Sequence, residues 1–467
     1  MQDEATAQFA VLRRAARPEA VAALEDLVRH APDRSLSRIN ALDLAARQGV
    51  AEEDTIAALL HAARLGLFDL AWNVLCPGCG GVLRQGLTLK GLDQSRYSCA
   101  LCAAGYEPTL DELVEVTFTV NPRVRRIAAH DPDTLPMIEY FRQVFWGSGF
   151  DLPDDAALQR AFDDCTLEAI ELPAGERAVL SLQAPAAFLI LFDPVTHMAQ
   201  FLDVQGEPTR ERQSLALTVD GHHAQTGTLA LRPGPLRIAI ENRAGRRTLP
   251  GLWIAGDALH DLLGRRRPFL TAARLLSNQT FRDLYGTDTL EPRQRLRITS
   301  LTFLFTDLTG STELYDRVGD LAAYELVQTH FRLLQEIVAA AGGAVVKTIG
   351  DAVMASFPAP EQAVAAAVRM RAAIRDLRDG ELMLKIGLHA GPCLAVMLNG
   401  AQDYFGQTVN VAARVQGLAE AGGILASAPV MEGARVAALL AGLDLAPQPQ
   451  ERALRGVARA MAIYEVA

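Results

Sequence analysis

Lysine is scarce in this chain. Of its 45 basic residues, all but Lys90, Lys347 and Lys385 are arginine. An excess of positive charge is missing as well. The formal net charge is −10, which argues against non-specific binding to nucleic acid or to acidic membranes. No apolar run reaches about 18 residues, the length a membrane span needs. The opening MQDEATAQFAVLRR places acids first and has no long apolar core, so a signal peptide is not expected. Cysteine is limited to six residues: two CxxC pairs, and Cys165 and Cys393 standing alone. That is not a secreted disulfide framework, and a reducing cytoplasm is the expected setting.

What is present is apolar residue in quantity. Half of 467 residues are hydrophobic, enough for several cores and too many residues for one. Residues 1–74 carry apolar side chains at three- and four-residue spacing in VAALEDLVRHA, ALDLAARQGV and EEDTIAALLHAARLGLF. The last two, joined at Gly49-Val50 and followed by the strand-like FDLAWNVL, resemble a winged-helix unit. Eight Arg against eleven Asp and Glu up to residue 70 is the wrong balance for gripping phosphates, so a packing or dimerising role is favoured over DNA binding.

Residues 75–120 hold CPGC and CALC, with nineteen residues between the pairs. Two knuckles at this spacing offer four thiolates to one tetrahedral ion. Cys76, Cys79, Cys99 and Cys102 are therefore expected to form a structural zinc ribbon with no open position for catalysis. A redox pair of dithiols is the competing assignment. Residues 121–255 turn from helical patterning to short β-type runs (RAVLSL, FLILFD, AQFLDV, QSLALTV, GTLALR, LRIAIEN, PGLWIA) at the spacing of a β-sandwich. His222 and His223 alternate faces on a strand and make a poor metal pair. Residues 256–297 form a helical linker. Within it, FLTAARLLSNQTFRDLYG is expected to be one amphipathic helix over 269–286.

The chemistry concentrates in residues 298–467. ITSLTFLFTDLTGST is a buried strand entering a polar turn, with Asp307 at the strand's end. The backbone N–H groups of Thr309, Gly310, Ser311 and Thr312 would open a helix suited to phosphate oxygens. An aspartate here also serves as a helix cap. In VVKTIGDAVMASF, Asp351 sits at a hairpin tip. If both hairpin strands neighbour the first strand, Asp307 and Asp351 meet at one end of the sheet. Two close carboxylates are unfavourable unless cations lie between them, and two magnesium ions with a triphosphate would meet that demand. In DYFGQTVNVAAR, Asn410 and Arg414 are i and i+4 on one helix face. They offer an amide and a cation to a transferring phosphoryl group. Lys385 has no assignment beyond a strand edge, and His389 is expected to be a satisfied core histidine.

FTDLTGST, KTIGDAVM, IGLHAGP and DYFGQTVNVAAR, in this order, resemble the class III nucleotidyl cyclases, the adenylate and guanylate cyclase family. The resemblance covers about 298–467. It implies a ferredoxin-like βαββαβ core that forms a homodimer with active sites at the interface, as the C-terminal domain of a chain expected to be multidomain α+β. It implies two Mg²⁺ or Mn²⁺ ions held at Asp307 and Asp351. Lys347 and Asp403 would recognise the base, and Asn410 and Arg414 the ribose and phosphate. Arg455 stands near a position that approaches the terminal phosphates. Adenine pairs an acceptor at N1 with a 6-amino donor, which matches a lysine donor and an aspartate acceptor. ATP is thus the expected substrate, with GTP or another nucleotide, or a silent cyclase-fold scaffold, as alternatives. The N-terminal region is expected to sense a ligand or protein and to regulate the cyclase.

Overall fold

A computed structural model describes residues 3–92, 97–220, 225–286, 290–291, 293–309, 319–377, 383–457 and 460–466. They divide into two compact units: residues 1–87, 95–108 and 113–270 in the first, and 88–94, 109–112 and 271–467 in the second.

The first unit opens with the helices Asp3–Ala15, Pro18–His30, Ala41–Gln48 and Glu52–Arg64. Asn40 caps the third through Leu42 and Asp43 N–H, and Gly49 ends it in the left-handed conformation. Strand β1 (Phe68–Leu75) then pairs with β2 (Val82–Gly86) on one side and, past the short hairpin β3 (Tyr97–Cys99) and β4 (Ala104–Tyr106), with β5 (Val114–Val120) on the other. Though aromatics are only 6 % of the chain, they cluster. Phe141, Phe145, Trp146, Phe162 and Trp253 share one core with Cys76, Cys79 and Cys99.

Two further sheets follow. One has the order β10 (Gln213–Val219), β12 (Gly234–Asn242), β7 (Arg177–Ala184). The other runs β11 (Gln225–Leu231), β9 (Met198–Val204), β8 (Phe188–Asp193), β13 (Gly251–Ile254), β6 (Thr166–Ala169). Leu180, Leu236 and Ile238 of the first and Leu189, Leu191, Leu202 and Leu252 of the second fill one core between them. His222 and His223 lie outside the described residues. Among the described residues, no helix is long and apolar enough to cross a membrane.

The second unit begins with a correction. In place of one helix over 269–286 there are two, Ala272–Leu276 and Gln279–Tyr285. The break falls at Ser277-Asn278, where Asn278 accepts from Phe281 N–H and restarts the helix. A local cap outcompetes helical periodicity here. The main sheet has the order β15 (Ala344–Ile349), β16 (Ala352–Phe357), β14 (Leu296–Thr309), β17 (Met383–Leu398), β19 (Ile424–Ser427), β21 (Met461–Glu465), β20 (Pro449–Arg452), with β18 (Ala401–Phe405) folded onto the far end of β17. Strand β14 is antiparallel to both β16 and β17. With the helices Asp320–Ala340 and Pro360–Leu377 packed through Leu334, Ile337, Val338, Ala363, Val364 and Ala367, this is the expected βαββαβ core. Only the second hairpin strand neighbours β14, because β15 lies beyond β16.

Strand β14 carries a bulge between Ile298 and Leu301. The Asp111 carboxylate occupies it, accepting from Thr299 N–H at 3.0 Å and Ser300 N–H at 3.0 Å. Leu110 N–H also bonds the Arg297 carbonyl at 2.9 Å. Gln294 donates to the Leu89 and Leu92 carbonyls at 2.8 and 2.6 Å. Two short stretches that flank the second cysteine pair in sequence are thus built into the entry of β14.

Candidate functional site

Asp307 stands near the end of β14, directly across from Lys385 on β17. Lys385 was expected at a strand edge. It instead sits on a central strand between β14 and β19, because β17 continues the sheet on its other side. Gly350, with φ +65°, makes the tight turn that sets Asp351 at the hairpin tip. Thr306 Oγ1 accepts from Val353 N–H at 3.1 Å and ties that tip to β14. Burial pushes the Asp307 carboxyl above the usual carboxylate range, and the Asp351 charge pushes it further, against the pull of Lys385. Asp351 Oδ2 is buried with no hydrogen-bond partner. Two mutually repelling carboxylates, one with an orphaned oxygen, are a donor set that suits divalent cations.

Lys347 on β15 and Asp403 on β18 meet directly, Nζ to Oδ2 at 2.6 Å. Asp403 is buried and its other oxygen accepts from Tyr404 N–H at 2.8 Å, so the carboxylate is fixed. Lys347 is 41 % exposed and stays accessible. The helix Gln407–Gly417 carries Asn410, exposed, and Arg414, half-buried, one turn apart. A Cβ added at Gly456 would come within 3.2 Å of Arg414 Nη1, so the turn bearing exposed Arg455 passes against that guanidinium. Thr309 belongs to the β14 ladder opposite Met383 and is not a helix start. Gly310, Ser311 and Thr312 lie outside the described residues. His389 is buried with Nδ1 2.6 Å from Ser427 Oγ, and burial lowers its pKa to about 4.

Sequence patterning missed the helix Gln279–Tyr285 as part of this site. Arg282 Nη2 donates to the Gln402 carbonyl at 2.8 Å and the Val346 carbonyl at 3.2 Å. These are the residues immediately before Asp403 and Lys347. Gln279 Oε1 accepts from Val345 N–H at 2.8 Å, at the β15 irregularity next to Lys347. The one signal available was an arginine and a glutamine three residues apart on a short amphipathic turn, too common to single out.

In the first unit the four cysteine sulfurs lie within 4.8 Å of one another. Cys76 and Cys102, and Cys79 and Cys99, are each 3.7 Å apart. A tetrahedral ion with Zn–S of about 2.3 Å requires sulfur separations of about 3.8 Å. A Cβ at Gly78 would fall 2.8 Å from Cys102 Sγ, so the knuckle closes only around glycine. The residues fit zinc, and all six cysteines are free of disulfides.

Residues 1–283 match the model of a family of unknown function, DUF5939, and residues 294–440 match the adenylate and guanylate cyclase catalytic domain. Adenylate cyclase 2 of Rhizobium meliloti is 32 % identical over 165 residues, which covers 32 % of this chain and 44 % of that protein. An uncharacterized protein of Mycobacterium tuberculosis is 39 % identical over 128 residues, covering 27 % of this chain and 32 % of that one. The chain therefore spans less than half the length of these relatives. Among solved structures, the adenylyl cyclase CyaB from P. aeruginosa is similar at 24 % identity and a TM-score of 0.34, over 37 % of this chain and 96 % of that chain. The guanylate cyclase domain of RhGC from Catenaria anguillulae, in complex with GTP, is similar at 25 % identity and a TM-score of 0.33, over 37 % and 97 %.

Proposed function

The chain belongs to the DUF5939 family and joins that region to an adenylate and guanylate cyclase catalytic domain, and on this premise we propose that it converts ATP to 3′,5′-cyclic AMP and pyrophosphate as a homodimer. The observation that carries the substrate choice is the Lys347–Asp403 pair at 2.6 Å. An ammonium donor beside a fixed carboxylate acceptor complements adenine at N1 and the 6-amino group. Guanine presents a donor and a carbonyl at those places, the reverse pattern.

Asp307 and Asp351 would hold two Mg²⁺ or Mn²⁺ ions, which when bound supply positive charge to the triphosphate and the attacking ribose oxygen. The chain's own groups do the rest. Lys347 and Asp403 orient the base. Asn410 holds the ribose, and Arg414 stabilises charge building on the phosphorus oxygens, with Arg455 on the terminal phosphates. The resemblance to class III cyclases has the base- and ribose-binding side chains of one copy complete the metal carboxylates of a second, so the monomer would be inactive. The four cysteines would hold a structural zinc, and the N-terminal region would act as regulatory input.

Product analysis tests this. Purified protein is given Mg²⁺ or Mn²⁺ and each of ATP, GTP, CTP and UTP, beside Asp351→Ala. Cyclic AMP and pyrophosphate from ATP alone, lost in the variant, is the expected outcome. Cyclic GMP as the main product would overturn the base assignment, and no product from any nucleotide would overturn the activity.

A further inference from the structure

The first unit holds a polar cavity of about 380 Å³ between the segment leading into helix Ala41–Gln48, the stretch 146–155 and Arg267. That volume falls within the range of small-molecule sites. Its charge is unlike that of the chain. Five arginines line it (Arg34, Arg38, Arg47, Arg142 and Arg267) against three carboxylates, Asp43, Asp154 and Asp155, an excess of two positive charges in a protein of net charge −10.

The carboxylates are already committed. Asp43 takes Arg47 at 2.8 Å and Arg267 at 3.0 Å. Asp155 takes Arg34 at 2.7 Å and Arg142 at 2.8 Å. Asp154 caps a helix through Ala157 N–H at 2.8 Å. Asp43 and Asp155 therefore each clamp two guanidinium forks, and the donors not used in the clamps remain. Arg38 has no carboxylate within ion-pair distance among the described residues and donates to the Trp146 carbonyl at 3.1 Å. Glu115 is buried nearby and eases its charge, but the Glu115 oxygens are taken by Asn73 and by the Ser148 N–H and hydroxyl.

The guanidinium of Arg38, free of a carboxylate among the described residues, suits the cavity to an acceptor-rich occupant. Arg38 also holds φ +46°, a left-handed conformation uncommon for a non-glycine residue and found at ligand clamps. It is retained by the bond from Arg38 N–H to Thr119 Oγ1 at 3.1 Å.

We propose that this cavity binds a small polyvalent oxyanion, a molecule carrying phosphate or carboxylate groups, and that Arg38 is its central contact. Guanidinium forks match both groups in bidentate geometry.

Calorimetric titration of the full chain, without added divalent cations and at low chloride, tests it. Pyrophosphate is the phosphate probe and citrate the carboxylate probe. One equivalent of at least one probe is expected to bind saturably in the micromolar range, at least tenfold more weakly in Arg38→Gln and in Arg47→Gln. The stronger probe identifies the class. Arg414→Ala serves as the control for pyrophosphate held at the catalytic domain and should leave this binding unchanged. No saturable binding of either probe below 10 mM overturns the proposal. So does unaltered affinity in a folded Arg38→Gln, or in Arg47→Gln should Arg38→Gln not fold.

Discussion

Arg282 reaches the backbone carbonyl of Gln402 at 2.8 Å, and through the same nitrogen the carbonyl of Val346 at 3.2 Å. Its guanidinium thereby joins strands β15 and β18 one residue before Lys347 and Asp403, which themselves touch. The spacing of that pair is set by a helix outside the βαββαβ core. Charge-assisted hydrogen bonds of this kind contribute about 1.5–3 kcal/mol each. Arg282→Gln is expected to raise KM for ATP about tenfold with a smaller change in kcat, while Arg282→Lys keeps part of the effect. Steady-state kinetics on both variants check this, and an unchanged KM in a folded Arg282→Gln would refute the positioning role.

Lys347 and Asp403 should govern which base is accepted. Lys347→Ala removes a donor matched to adenine and leaves buried Asp403 unpaired. Sites that hydrogen-bond a substrate group lose large factors when the match is broken. The expected loss in kcat/KM with ATP is about 100-fold, with far less change for GTP. Equal losses with both nucleotides would assign the pair a structural role only.

The cysteine cluster should carry metal. Elemental analysis is expected to find one zinc per chain, and none in a Cys99→Ser, Cys102→Ser double variant. Because the sulfurs share a core with Phe141, Phe145 and Trp146, metal loss should lower the melting temperature of the whole chain by several degrees. A full-length protein with four free thiols, no metal and an unchanged melting temperature would exclude the centre.

His389 should make the protein acid-sensitive. Its pKa is lowered by burial from 6.5 to about 4. The folded state keeps it neutral while the unfolded chain takes up a proton below pH 6.5. The group's stabilisation is therefore complete above pH 6.5 and is lost as the pH falls towards 4. At pH 5 the loss is about 2 kcal/mol. Urea unfolding at pH 7.5 and 5.0 should show a difference that shrinks by about that amount in His389→Gln.

Much of the site was legible in the sequence because its parts are short motifs with local mechanics. Gly350 before Asp351 announces a tight turn. Asn410 and Arg414 are one helical turn apart whatever surrounds them. The CPGC and CALC pairs announce a cluster of four cysteines by spacing alone. The seven strand runs of the sandwich region were legible too, since strand alternation and turn residues are local signals.

What only the tertiary structure decided is which distant segments share a surface. That Lys347 meets Asp403, that Lys385 faces Asp307 from a central strand, and that Asp111 fills the β14 bulge each depend on strand register, which no local pattern encodes. The helix break at Ser277-Asn278 was lost to periodicity because an asparagine cap competes with it on equal terms. The arginine cavity is the extreme case: Arg34, Arg142 and Arg267 lie more than a hundred residues apart in sequence and line one cavity, the first two sharing Asp155 and the third held by Asp43. Sequence settled the residue types and their local geometry, since those follow from backbone sterics and capping. Folding settled their partners, since burial and register act across the whole chain.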